Sequence, residues 1–179
     1  MKYLMILCLW LFSEKSHSQS TTLSPLLDNL QKGDTLYVNF CISHSEFGSV
    51  HKGMFLYKKD NSIFGRYVLY NYGVSLLPNK SIRIHPNVMP VAWEADSVIS
   101  FYNKVKLNYF VLKNDWELDH KQVEYLKRYF YELEKFIKPE GFSNAPDFYT
   151  VMSKAKSFVV LDLVGAWDKY LEVYKAMGL

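Results

Sequence analysis

Cysteine is scarce in this chain, whose 179 residues include only Cys8 and Cys41. Cys8 lies in an N-terminal apolar run that we expect to be removed, which leaves Cys41 without an intramolecular disulfide partner. A disulfide-stabilised scaffold is thereby excluded. We expect Cys41 to be a buried thiol that packs as a small apolar side chain; an intermolecular bond and a reactive thiol are the alternatives.

Common catalytic and metal-binding motifs are also missing. The chain has no G-x-S-x-G nucleophile motif and no P-loop, and its histidines and cysteines form no H-E-x-x-H or C-x-x-C pattern. Its charge is small and mixed, with 21 Lys and Arg against 18 Asp and Glu and a formal charge of +3. These absences predict no cofactor and no nucleic-acid partner, because a nucleic-acid surface needs concentrated positive charge.

Only one stretch is strongly apolar, residues 3–12, and it is too short to span a bilayer, which takes about 20 residues. Lys2 precedes this run and a Ser-x-Ser pattern follows it, as is typical of a secretory signal peptide. We therefore predict cleavage near Ser18, export to the periplasm or the medium, and no transmembrane helix in the mature chain. A buried N-terminal helix is one alternative. A lipid anchor at Cys8 is another, although the bulky Leu7 argues against it.

The clearest pattern lies between residues 118 and 137 and predicts an amphipathic helix. Its apolar residues recur at steps of three and four, and charged residues occupy the opposite side. Asp119 is placed to cap the first turn, Gln122 completes a capping box, and Pro139 and Gly141 end the helix. The residues predicted to face the core are Val123, Leu126, Phe130, Leu133 and Ile137, flanked by Tyr125, Tyr129 and Phe136.

Residues 35–43 alternate in a way that predicts a half-buried strand, with Leu36, Val38 and Phe40 on one face and Cys41 on the other. Two further strands separated by short turns should complete an antiparallel meander. The predicted elements after the first strand are strands at 52–58 and 63–70, a short edge strand at 81–85, a helix at 96–105, a strand at 107–112, a hairpin of 147–152 and 157–163, and a helix at 166–177.

Strands in succession, followed by a helix, a hairpin and a second helix, predict an α+β fold with a mainly antiparallel sheet. We expect one long and one short C-terminal helix to pack on one face of this sheet. The chain divides into a signal peptide at 1–18, an N-terminal segment at 19–34 and a single α+β domain at 35–179. The short helix should end at Gly178 and bury Trp167, Tyr170, Leu171, Tyr174 and Met177.

Cys41, His44 and His51 are weak candidates for metal or nucleophilic chemistry, because they flank the predicted first hairpin and could meet in space. Together they offer the nitrogen and sulfur ligands that zinc prefers. Cys41 and His44 are an odd number of positions apart and would point to opposite faces of one strand, which argues against a nucleophile–base pair. We therefore expect His44 and His51 to be polar turn residues, and we predict no metal site.

Four aromatic side chains offer the one suggestion of a binding surface. Tyr37, Tyr57, Phe64 and Tyr70 are predicted on the sheet face opposite the long helix. If exposed, they would form a patch typical of ligand-binding surfaces. The interpretation we favour for these four rings is a second core layer, with residues 71–96 covering this face.

Two segments, CISHSEFGSVHKGMFLYKKD and FYTVMSKAKSFVVLDLVGAWDKYLEVYKAMG, lie on either side of the long predicted helix. In this order they resemble a loose group of small exported proteins of Bacteroidota with no assigned function. The resemblance implies a meander that opens with a cysteine-containing strand, then a helix, a hairpin and a closing helix. Such proteins often have a second cysteine near the last strand, where residues 161–165 contain none. The resemblance therefore implies no disulfide here and no catalytic residues.

We expect an exported, non-enzymatic domain that binds a protein, a peptide or a glycan, or acts as an accessory protein, through the four aromatic side chains. A small hydrolase-like or metal-binding protein that uses Cys41, His44 and His51 is the alternative. A structural part of a larger envelope assembly is the third hypothesis.

Overall fold

The structure is a computed structural model that describes residues 23–43, 49–71, 74–78, 82–84, 95–136, 147–163, 165 and 167–179. Its elements, in chain order, are α1 (Ser24–Asp28), β1 (Thr35–Ser43), β2 (Ser49–Lys59), β3 (Ser62–Tyr70), β4 (Val74–Leu76), β5 (Ile82–Ile84), α2 (Ala95–Val105), β6 (Tyr109–Glu117), α3 (His120–Lys135), β7 (Asp147–Met152), β8 (Ser157–Asp162) and α4 (Lys169–Met177).

Six antiparallel strands form one sheet in the order β6-β3-β2-β1-β7-β8, and the predicted meander of β1, β2 and β3 is confirmed. Asp60 and Asn61 make the turn between β2 and β3, and Asp60 has a positive φ of 54°. Aspartate tolerates this conformation better than most residues, which is why the sequence places a turn there. β7 pairs with β1, so the C-terminal hairpin extends the meander into a single sheet.

Helices α1, α3 and α4 cover one side of the sheet, here called the first face. The prediction that the long and the short C-terminal helix pack together on one face is confirmed, because both contribute to one core. Leu27 of α1 and the flanking Leu23 and Leu30 also contribute side chains to this core. The largest fully buried side chains from the sheet and from α3 in it are Leu36, Phe40, Leu56, Leu126, Phe130, Leu133 and Tyr149.

Local signals set the ends of α3 and α4. The Asp119 side chain accepts a hydrogen bond from the Gln122 backbone and the Gln122 side chain accepts one from the Asp119 backbone, so the predicted capping box is confirmed. Gly178 ends α4 in the left-handed conformation, as predicted. The predicted burial of Leu171 is wrong, since its side chain is 44% exposed, and Val173 fills the core instead. The buried side of α4 therefore includes Val173 and Met177.

Helix α2, predicted at 96–105, packs on the opposite side of the sheet, here called the second face. Its Val98, Phe101, Tyr102 and Val105 side chains form a second core with residues of β1, β2, β3 and β7. Cys41 belongs to this second core while Phe40 belongs to the first. The alternation predicted for β1 is therefore confirmed, and both faces of the sheet carry a hydrophobic core.

Several predicted boundaries and one pairing differ from the structure; the last helix, for example, begins at Lys169 rather than at residue 166. β2 begins at Ser49 rather than at residue 52, and β6 continues to Glu117 rather than ending at residue 112. The half-buried Trp116 explains the longer β6, because its ring packs against the first core and keeps the strand extended. The strand predicted at 81–85 is present as β5, but it pairs with β4 in a separate two-stranded sheet instead of forming an edge of the main sheet.

None of the helices in the described part of the chain has the length and hydropathy needed to cross a bilayer. The predictions of a signal peptide at 1–18, of a lipid anchor at Cys8 and of a turn residue at His44 fall outside the described residues.

Candidate functional site

The four predicted surface aromatics lie on the second face of the sheet, but not all of them are accessible. Tyr70 is completely buried, so its assignment to an exposed patch is corrected. The ring of Tyr102 in α2 lies 5.3 Å from the Tyr70 ring and helps to seal it from solvent. Tyr37, Tyr57 and Phe64 are half-buried: Tyr37 packs at the margin of the second core, and Tyr57 and Phe64 lie outside it.

Tyr57 and Phe64 form a stacked pair across β2 and β3. They are directly opposite in the register, their ring centroids are 6.0 Å apart, and the interplanar angle is 22°. The Lys59 ammonium lies 5.6 Å from the centroid of Phe64, close enough for a cation–π contact. This end of the second face therefore presents a flat aromatic surface with a cation beside it.

An ion pair adjoins these rings. The Arg66 guanidinium donates two parallel hydrogen bonds to the Asp115 carboxylate of β6, with Nη2 2.8 Å from Oδ2, and a third of 3.2 Å to the Tyr109 hydroxyl. Both side chains of the ion pair are about one-third exposed, at 33% and 37%. The bidentate geometry fixes the guanidinium in the plane of the carboxylate. Its remaining N–H edge is therefore preoriented for an approaching acceptor.

The ionisation states around this pair follow from the same contacts. The hydrogen bonds from Arg66 hold the pKa of Asp115 below its usual value, so the carboxylate stays charged at neutral pH. Burial, with the neighbouring Asp115 carboxylate, raises the pKa of Tyr57 to about 12. The Tyr57 hydroxyl is accordingly a neutral hydrogen-bonding group at neutral pH.

Phe55 joins the exposed rings to the covered part of the face. Its ring makes edge contacts with Tyr37 at 5.0 Å and with Tyr109 at 4.8 Å, and it is itself only 7% exposed. The Lys106 ammonium lies 5.8 Å from the Tyr37 centroid. The term aromatic surface is used below for the partly accessible side chains around Phe55, namely Tyr37, Tyr57, Phe64, Arg66, Tyr109 and Asp115.

Next to Phe55, beneath α2, the second face holds a buried polar network centred on Asn39. The Tyr70 hydroxyl donates to the Asn39 side-chain carbonyl, and the Asn39 amide donates to the Thr150 hydroxyl at 2.8 Å. Asn39, Tyr70 and Thr150 are all completely buried. Burial raises the pKa of Tyr70 well above its usual value, so its hydroxyl remains a donor. The network links β1, β3 and β7 through side chains.

A second buried network is centred on His51. Its Nε2 lies 2.9 Å from the Ser49 hydroxyl and 4.0 Å from the Cys41 sulfur, and its Nδ1 lies 3.4 Å from the Tyr102 hydroxyl. The ring is enclosed by Phe101, Tyr102 and Phe148, with centroid distances of 4.6, 5.9 and 5.6 Å. Cys41 and His51 have no exposed surface. The predicted burial of Cys41 is thus confirmed.

The prediction that His51 is a polar turn residue is wrong. It lies in β2 directly opposite Cys41, because β2 begins at Ser49, three residues earlier than predicted. The register therefore replaces the Cys41–His44 pair considered from the sequence with a Cys41–His51 pair. His44 lies outside the described residues. Among the residues that the structure describes, no three His, Cys, Asp or Glu side chains converge as a metal site requires.

A groove of about 570 Å³ separates the start of α3 from the end of α4. Its charged lining is mixed, with Lys121, Arg128 and Lys175 against Asp119 and Glu172. Such a balance does not select a ligand of one sign, in keeping with the solvated helix face predicted from the sequence.

Sequence reasoning missed Arg66, Tyr109 and Asp115 as members of the candidate site. No local signal marks them, because they meet only through the pairing of β3 with β6, where two register shifts interrupt the ladder. Comparison with protein-family models, curated proteins and solved structures gives no match for this chain. The site is therefore interpreted from its own geometry.

Proposed function

We propose that this protein is a non-enzymatic binding domain of an exported protein, and that its ligand, a protein, peptide or glycan, docks on the aromatic surface. One observation carries the proposal: α2 covers one end of the second face, yet the stacked Tyr57 and Phe64 rings and the Arg66–Asp115 pair stay partly accessible on the same face. Other aromatic rings on the second face are buried, whereas the Tyr57 and Phe64 rings remain partly at the surface.

The physical basis is the combination of flat apolar rings with fixed polar groups. Tyrosine and phenylalanine contribute large contact areas at little cost in conformational entropy, since each has only two side-chain torsions. The Arg66 guanidinium is held by Asp115 and Tyr109, so little of its freedom remains to be lost on binding. Recognition sites usually combine aromatic rings, on which the ligand stacks, with a preoriented donor, which sets the orientation of the ligand.

The arrangement of Cys41 and His51 favours binding over chemistry at those residues. Both side chains are completely buried and enclosed by rings from α2 and β7, so a dissolved substrate has no contact with the thiol in this conformation. An enzyme that used this pair as nucleophile and base would need access to the sulfur. The hydrolase-like or metal-binding alternative therefore has less support than the binding domain.

The test is to screen the protein against a glycan array and a random peptide library, beside a Tyr57→Ala/Phe64→Ala variant. We expect ligands of one class to bind the unaltered protein and to bind the double variant at least about tenfold more weakly, because central aromatic anchors carry much of a binding free energy. Tyr131→Ala is the matched control, since Tyr131 is an exposed tyrosine on α3, away from the second face. Binding that Tyr131→Ala weakens as much as the double variant would contradict the proposed site.

A further inference from the structure

The two outer strands of the described sheet, β6 and β8, differ in how well their edges are protected. In β8, Phe158 packs against the first core, and Val159 and Leu161 pack against the second. β8 is also short, with six residues, and it contacts α2. Short length and flanking structure are ordinary protection for a sheet edge. β8 thus has the features of an edge that is not used for pairing.

β6 is less protected by the described residues: it is longer than β8 and no described helix packs on it as α2 does on β8, although two register shifts interrupt its ladder with β3. It has nine residues without proline, and Val111 and Leu112 are 43% and 36% exposed. Leu107, just before the strand, is 84% exposed. A lysine often guards such an edge, but the Lys113 ammonium is turned away onto the Met177 carbonyl oxygen of α4 at 2.6 Å. The one cation of the strand is therefore engaged on the first face.

The backbone of β6 indicates what kind of molecule would bind along this edge. Among the described strands β6 pairs only with β3, so about half of its N–H and C=O groups are directed away from the sheet. A row of alternating donors and acceptors at the spacing of an extended chain is complementary to another extended chain. Neither a glycan nor a lipid repeats that pattern.

The aromatic surface is continuous with this edge. Tyr109 and Asp115 of β6 are members of the aromatic surface, and Val111 lies opposite Val68 of the second core in the ladder with β3. A strand added beside β6 would therefore direct every second side chain over the rim of the aromatic surface. The intervening side chains would lie on the other side of the sheet.

From this continuity we propose that the partner is an extended polypeptide segment that adds to the sheet beside β6 while its side chains contact the aromatic surface. The inference rests on the proposed function and narrows its ligand to a polypeptide. Backbone hydrogen bonds to β6 give the partner its direction and register, and the aromatic surface selects its alternate side chains.

The experiment selects random dodecapeptides displayed on phage against the full chain, and the enriched sequences are synthesised. Hydrogen–deuterium exchange is then followed with and without each peptide. We expect exchange to slow at Tyr109–Glu117 and to stay unchanged at Ser157–Asp162, which serves as the internal control edge. Val111→Lys should weaken the peptides by about tenfold or more, because an edge lysine disfavours strand addition. Leu171→Lys, a substitution at a similarly exposed aliphatic residue of α4, should leave the affinity unchanged.

The outcomes separate this inference from the proposed function. A selection that enriches no peptide, or peptides that bind without slowing exchange in β6, overturns strand addition. If a glycan then binds and Tyr57→Ala/Phe64→Ala abolishes its binding, the proposed function stands without the inference. If neither peptides nor glycans depend on the aromatic surface, both are overturned. The exchange measurement uses the unaltered protein, so it tests strand addition at β6 even if the Val111→Lys variant does not fold.

Discussion

The two faces of the sheet differ in the helices that cover them and in the polar groups that their cores contain. Helices α1, α3 and α4 cover the first face, and its core is mostly apolar and aromatic, although at Trp167 the buried Tyr149 hydroxyl donates to the backbone carbonyl and the buried Asp162 carboxylate accepts from the backbone amide. Among the described residues, one helix of 11 residues packs on the second face, whose core encloses the Asn39 and His51 networks and adjoins the aromatic surface. The first face gains most of its stability from buried apolar area, whereas the second combines packing with side-chain hydrogen-bond networks that link several strands.

This difference has a consequence for recognition. Side chains that must be presented to a partner need a rigid support. Beside the aromatic surface, one buried network links β1, β3 and β7 and the other links β2 to α2. The Phe55 ring connects the buried networks to the aromatic surface. Its centroid lies 6.2 Å from that of Tyr70 on the covered side and 4.8 Å from that of Tyr109 on the open side. We therefore expect substitutions on the first face to change stability, and substitutions at the rim of the second to change binding.

The largest expected effect comes from the first face. Phe130→Ala removes a completely buried ring from the centre of α3 and should lower the free energy of unfolding by about 3–5 kcal/mol. Chemical denaturation followed by circular dichroism measures it. Tyr131→Ala, one position along and 47% exposed, should change stability by less than about 0.5 kcal/mol. Equal losses at the two positions would contradict the assigned helix orientation.

The second-face counterpart is Asn39→Ala. It leaves the Tyr70 and Thr150 hydroxyls buried without their Asn39 partner, and the expected loss is about 2–4 kcal/mol. Tyr70→Phe in the same background should then cost less than it does alone, because the interaction has already been removed. The double-mutant cycle of unfolding free energies measures this coupling. Strict additivity would mean that the two side chains do not interact.

Gly→Ala substitutions at Gly65 and Gly53 provide one comparable test of packing on each face. A Cβ at Gly65 would lie 2.8 Å from the Trp116 ring on the first face, and a Cβ at Gly53 would lie 2.8 Å from the Asn39 side-chain oxygen on the second. Each Gly→Ala variant should lose about 1–3 kcal/mol through overpacking. Tryptophan fluorescence separates them: the Gly65 variant should shift the emission, and the Gly53 variant should not. A Trp116→Phe background, in which the shift disappears, is the control.

The smallest expected effect is the acid dependence of the ion pair at the open rim. Arg66 lowers the pKa of Asp115 in the folded protein, so the native state binds fewer protons here than the unfolded chain. The stabilisation is present above the ordinary carboxyl pKa of about 4 and is lost as the pH falls through the lowered pKa. Since both partners are about one-third exposed, it amounts to less than about 1 kcal/mol. Urea midpoints from pH 7 downwards should fall less steeply for Asp115→Asn; an identical slope would contradict the pairing.

Local patterns predicted much of the fold because their causes are local. The α3 helix follows from apolar residues at helical spacing and from a cap that Asp119 and Gln122 complete within four residues. The division of β1 between two cores follows from alternation alone. Where a local pattern was ambiguous, the prediction was wrong, as at Leu171, because a short helix can rotate by one position without changing its composition.

The candidate site was less predictable because it depends on register. Tyr37, Tyr57 and Phe64 were placed on the second face from alternation, but the burial of Tyr70 depends on where α2 docks. His51 meets Cys41 only because β2 begins at Ser49, and a different turn length would place another residue there. Arg66 and Asp115 are 49 positions apart and meet only across β3 and β6.

The sequence by itself determined the α+β class, the meander, both C-terminal helices and the two-sided character of β1, since periodicity and capping act over a few neighbouring residues. The tertiary structure alone decided that α2 seals one end of the second face, that His51 pairs with Cys41, and that an arginine, an aspartate and three tyrosines meet around Phe55 at the open end. These outcomes depend on strand register and helix docking, which bring distant residues together through many weak contacts that no short pattern encodes.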